Sequence, residues 1–164
     1  MKKLLSHPLA ILLFLLSFNF SNSQATVSSV SSFDASATLN IGSSIDIIVS
    51  FNAPVTVTGT PKLKLETGST DTKIDYVSGS GTPFLTFTYV VIEGNTSSDL
   101  DYVNTSALTL EGGTITGPGD IAANLTLPSP GGPGSLAGIG DDEKNFVVDG
   151  VRPTMTITAS QISN

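Results

Sequence analysis

Ile45, Ile47, Val49 and Phe51 occupy every second position, so in an extended chain they share one face. The run from Ser44 to Val57 is rich in β-branched residues, which suit a pleated, half-buried strand better than a helix. Asn52-Ala53-Pro54 is predicted to stop it, because proline lacks the N–H that a central ladder needs; Val55 and Val57 then restart the alternation. A buried strand that turns a corner at a proline and resumes predicts a two-sheet β-sandwich.

The same period recurs along the chain. Thr26–Phe33, with Val27, Val30 and Phe33 apolar, predicts an irregular edge strand, and Asp34-Ala35-Ser36 and Asn40-Ile41-Gly42-Ser43 predict turns. Pro61–Glu66 alternates apolar with charged residues, as a strand with one wet face does. Lys73–Val77 and Phe84–Ile92 are further strands, the second carrying Leu85, Phe87, Tyr89 and Val91 on one face and Thr86 and Thr88 on the other. Glu93–Asn104 reads as a polar crossing, Ala107–Leu110 as strand, Glu111–Thr114 as a turn and Ile121–Leu127 as strand. Pro128–Gly140, rich in Pro and Gly, predicts a long surface loop, and Asn145–Asp149 a last strand. With no helical period anywhere, about seven or eight strands at hairpin spacing predict an all-β sandwich. Its core should hold Ile47, Val49, Phe51, Leu63, Leu65, Leu85, Phe87, Tyr89, Leu108 and Val147.

Both ends read differently. Met1–Ala25 has the form of a secretory signal peptide: Lys2 and Lys3, an apolar stretch over Leu9–Phe20, then small residues. Cleavage fits before Gln24 or before Thr26. The apolar stretch is too short for a comfortable membrane span, so no membrane insertion is expected after processing. Residues 26–150 form the domain. Residues 151–164 read as a linker, beginning in Gly150-Val151-Arg152-Pro153, followed from Thr154 by the first strand of another repeat, with a stray edge strand of this domain as the alternative.

Composition narrows the function classes. The chain carries 14 acidic and 7 basic residues; without Lys2 and Lys3 the balance is 14 against 5, a net charge of −9. Such a surface repels nucleic acid and anionic membranes and attracts cations. There is no cysteine, which excludes disulfides and thiolate chemistry. His7, the one histidine, lies in the leader, so the processed chain lacks the parts of Ser-His-Asp, Cys-His and His/Cys zinc sites. Paired carboxylates among Asp46, Asp75, Glu93, Asp99, Asp101 and Glu111 would suit glycoside hydrolysis, but the chain has no tryptophan for a sugar platform and no enzyme is expected.

Several segments together resemble a known family. Ile47–Val55, Pro61–Gly68, Leu85–Tyr89 and Ser97–Tyr102 are similar, in that order, to segments of bacterial immunoglobulin-like repeats. Phe146–Pro153 resembles their Val-Asp-x-x-x-Pro junction, although Gly150-Val151-Arg152 departs from the usual small, Thr-rich linker. The resemblance spans Thr26–Pro153. It implies an immunoglobulin-like, cadherin-like sandwich in a tandem array, in a secreted or cell-surface, adhesin-type bacterial protein. Its partners would be neighbouring repeats and a surface glycan or protein ligand. A carbohydrate-binding accessory module of a secreted enzyme is the alternative, and exposed aromatics on one sheet face would favour it.

Two acidic features bear on cations. Asp99-Leu100-Asp101 places two carboxylates on one side of an extended segment, the oxygen donors that Ca²⁺ favours, although the spacing is not that of an EF-hand. Asp99, Asp101 and Asp149, with Asp34 or Asp142 as further ligands, are the candidate Ca²⁺ site at the end facing the next repeat. The competing expectation is a solvated turn with Tyr102 packed as a tyrosine corner. The triplets at Asn95, Asn104 and Asn124 fit the N-glycosylation pattern and are expected to be bare in a bacterial protein.

Overall fold

The computed structural model describes residues 23–139 and 144–155. Residues 1–22, which hold most of the expected leader, Asp142 and the strand expected beyond Met155 lie outside them. Ten strands form two sheets, and no α-helix occurs among the described residues. They are β1 (Val27–Ser32), β2 (Ala37–Asn40), β3 (Ser44–Thr58), β4 (Lys62–Leu65), β5 (Thr72–Ser78), β6 (Thr82–Val90), β7 (Thr96–Ser97), β8 (Leu108–Thr109), β9 (Thr114–Thr116) and β10 (Phe146–Asp149). The larger sheet runs β1-β3-β6-β5-β4-β8, with β9 paired to the far end of β3; the smaller is β2-β10-β7. All pairings are antiparallel except β10 with β2.

β3 is the spine. Its alternation puts Ile45, Ile47, Val49 and Phe51 inside, against Val30 of β1 and against Leu85, Phe87 and Tyr89 of β6. Pro54 does not end this strand. Between the pairs Ser50↔Phe84 and Val55↔Thr82 the register shifts, so β3 bulges where its proline would otherwise have to donate. Past the bulge the strand changes neighbour, with Thr56–Thr58 pairing β9. The corner expected at Pro54 is therefore a bulge and a change of partner.

One core joins the two sheets. Leu39 from β2 and Phe146 and Val148 from β10 belong to the same buried cluster as the β3 and β6 residues. Nine of the ten expected core residues are buried; Val147 is only half-buried, and its neighbours Phe146 and Val148 point inward. In Phe146-Val147-Val148 every residue is apolar, so period alone leaves the parity open, and a one-residue slip exchanges the faces. The register Phe146↔Ala37 and Val148↔Leu39, in the strand between β2 and β7, belongs to the observed arrangement. Phe33, expected with Val27 and Val30 on the apolar side of the edge strand, lies just past β1 and is 87% exposed.

Two loops depart from expectation. Ile121–Leu127 forms no strand, because its hydrogen bonds go to three different places. Ala123 N donates to Ile115 O, Asn124 N to Ala25 O and Leu127 N to Thr105 O. The Pro/Gly-rich loop after it has no regular structure but is not merely surface. Gly134 O accepts from Val30 N at 2.8 Å along the outer edge of β1, and Leu136 is fully buried in the core.

Candidate functional site

Three of the acidic residues singled out above, Asp34, Asp101 and Asp149, each accept hydrogen bonds of their own. Asp101 is buried, and both its carboxylate oxygens are used: Oδ1 accepts from Tyr102 N and Oδ2 from Gly131 N, each at 2.9 Å. It clasps the Pro/Gly-rich loop. Tyr102 completes the clasp from the next position, donating its hydroxyl to Pro128 O at 2.7 Å. A tyrosine corner bonds backbone a few residues upstream; here the hydroxyl reaches a loop 26 residues downstream. Burial first, and the Asp101 carboxylate second, push the Tyr102 hydroxyl far above the ordinary tyrosine value and keep it a neutral donor. Asp99 is half-buried in the same segment. Asp34 accepts from Asp46 N, and Asp149 accepts from Val151 N where the chain leaves the domain. No group of three acidic, His or Cys side chains suited to a metal occurs among the described residues.

Asp101→Asn puts an amide donor where Gly131 N or Tyr102 N now donates. It should lower stability by about 1–3 kcal/mol, the cost of orphaning a buried polar group, equally with and without millimolar Ca²⁺ in a thermal melt. A parent midpoint that rises with Ca²⁺, and loses that rise in Asp99→Asn, would place an ion at this turn.

Four of the acids weighed for glycoside chemistry have side-chain partners of their own. Asp75 pairs with Lys62, Glu111 with Lys73 at 2.7 Å and Glu93 with Arg152 at 2.9 Å, while Asp46 accepts from Thr88 Oγ1. The Lys73 and Thr109 hydrogen bonds hold the Glu111 carboxyl below its ordinary range.

The end from which the chain leaves is built around Asn95. Its side chain is buried, 4% exposed, beneath the turn after β6. Oδ1 accepts from Tyr89 Oη at 3.0 Å and from Ile92 N at 3.3 Å, and Nδ2 donates to Thr72 Oγ1 at 3.2 Å. Burial pushes the Tyr89 hydroxyl up to about 12, so it too remains a neutral donor. Asn95 O accepts from Gly150 N, and Gly150 O accepts from Gly94 N. A Cβ on Gly150 would lie 2.5 Å from Ile92 O and 2.6 Å from Asn95 O, so only glycine lets the exit strand come this close. An Asn-x-Ser triplet was the only signal at Asn95 in the sequence, and its burial removes it as a glycosylation acceptor in the folded domain. Beside this lock lies an open hollow of about 540 Å³, lined by Asn40, Ile41, Asp149, Val151 and Pro153. Ile41, Val151 and nearby Ile92 are exposed.

A second concavity, of about 320 Å³, lies on the outer face of the larger sheet. Ser29, Ser50 and Phe84 stand opposite one another across β1, β3 and β6. Ser31, Phe33 and Lys144 complete its rim, and Phe84 is 50% exposed. No local pattern points to it, since its parts come from four separate segments.

Comparison of the chain with protein-family models, with curated proteins and with solved structures finds no match to any of them.

Proposed function

We propose that this chain is a non-catalytic, exported immunoglobulin-like module, structural or adhesive, in a tandem array of the bacterial cell-surface type. The observation that carries the reading is the exit end. Ile41, Ile92 and Val151 leave apolar surface exposed where the chain departs, while the Asn95–Gly150 lock and the Glu93–Arg152 pair fix the direction of departure. An apolar surface around a held exit suits the abutting face of a following repeat. The net charge of −9 on the processed chain suits a soluble surface outside the cell.

The outer-face groove favours a second reading, a carbohydrate-binding module. Phe33 and Phe84 are exposed aromatic rings of the kind that take the C–H face of a pyranose, and Ser29, Ser31 and Ser50 make no side-chain hydrogen bond with a described residue. One pair of variants separates the two. In a chain continued past Asn164, Ile41→Glu/Val151→Glu should leave the melting midpoint unchanged and loosen the angle to the next repeat, measured by small-angle scattering. Phe33→Ala/Phe84→Ala should leave that angle unchanged. Rigid domain spacing in the first variant, together with loss of oligosaccharide binding in the second, would overturn the spacer reading for the glycan one.

A further inference from the structure

The folded domain begins two residues before the expected boundary. Ala25 is 0% exposed and belongs to the core cluster. Its carbonyl accepts from Asn124 N at 2.8 Å, and Gly117 packs so tightly against its methyl that a Cβ there would lie 2.7 Å from the Ala25 Cβ. Gln24 is exposed, yet its Nε2 donates to Ala122 O at 2.9 Å. Thr26 follows with Thr26 N donating to Asn52 Oδ1 and Thr26 O accepting from Asn52 N. The segment from Gln24 to Thr26 is thus stitched to two parts of the domain, the turn after β9 and the bulge of β3. Ser23, immediately before it, is exposed.

We propose that leader removal occurs between Ser23 and Gln24, so that the processed chain starts at Gln24. The assignment rests on the export reading above. Small residues one and three places before the cut fit both candidate positions, Ser21 and Ser23 for the first, Ser23 and Ala25 for the second. The fold separates them. A leader peptidase of this specificity hydrolyses one peptide bond with water: the hydroxyl goes to the new Ser23 carboxyl and the proton to the new Gln24 amine. That amine becomes an ammonium at an exposed position. Cutting after Ala25 instead discards a buried methyl and the carbonyl that holds Asn124 N. It leaves a void over Gly117 and puts a new charge on Thr26 N, beside that void.

The test is to express residues Met1 to Asn164 in an exporting bacterial host and read the N-terminus of the exported product by intact mass and terminal peptide sequencing. One N-terminus at Gln24, free or cyclised by attack of its amine on the side-chain amide with loss of ammonia, is expected. A product starting at Thr26 overturns the cleavage assignment and leaves the export reading standing. A product retaining Met1 overturns the export reading and the assignment with it. A second variant, Ser21→Arg, alters only the removed leader at the position three before the proposed cut. It should deplete the Gln24 terminus several-fold in favour of precursor, and an undiminished Gln24 terminus overturns the assignment of Ser21 and Ser23 as the residues read.

Discussion

Phe87→Ala should lower the unfolding free energy by about 3–5 kcal/mol, the range for truncating a buried large aromatic. Phe87 is fully buried in β6, in the middle of the larger sheet, and its ring meets Tyr76 edge-on, with centroids 6.0 Å apart at 71°. Such a pair adds about 0.5–1.5 kcal/mol beyond the area it buries. Its sheet partner Ile47 and its strand neighbours Leu85 and Tyr89 are buried as well, so the cavity has little room to collapse. In a domain of this size the loss should move the thermal midpoint by roughly 10–20 °C. Thr86→Ala, one residue earlier and on the other face, should stay within about 0.5 kcal/mol, as surface substitutions do. Two variants with similar midpoints would mean that the faces of β6 are assigned the wrong way round.

Asn95→Ala should be nearly as damaging through a different cause. It removes the acceptor of Tyr89 Oη and Ile92 N and a partner of Thr72, all around one buried position. The buried Tyr89 hydroxyl left without its acceptor costs about 1–3 kcal/mol, and the part-buried Ile92 N and Thr72 partners add a smaller share, for a loss of about 2–4 kcal/mol. Tyr89→Phe should then cost much less in the Asn95→Ala background than in the parent, since its hydroxyl no longer has that bond to lose. Equal costs in both backgrounds would remove the Tyr89–Asn95 bond from the account. The tyrosine also carries a pH signature. Its folded value lies near 12 and its unfolded value near 10, so the folded chain holds this proton more tightly. That contribution is complete below about pH 10 and is lost as pH rises from there toward 12, which a denaturant titration across that window would read.

The period-2 runs carried most of the fold, because alternation along a single strand is a local property. Ile45 to Phe51, Leu63 with Leu65 and Leu85 to Tyr89 each show which side is inward without reference to any partner. Where the run was short or uniformly apolar, that information failed. β2, β7 and β9, of four, two and three residues, are held by their neighbours in the sheet rather than by pattern. Val147 shows the same limit, since three successive apolar residues leave the inward face open until a partner strand sets the register.

The chemistry divides along the same line. Lack of cysteine and of any histidine after His7, together with the acidic balance, follows from the residues alone and excludes Cys- and His-based sites from the rest of the sequence in any fold. Which carboxylate meets which donor does not follow. Asp99 and Asp101 are two positions apart in sequence, but the oxygens of Asp101 are taken by its own neighbour and by Gly131, a loop residue 30 positions away. Asn95, Gly150 and Ala25 depend likewise on backbone brought in from distant segments. Hydrogen bonding and steric fit act over a few ångströms in space, and only the folded chain determines which residues come that close.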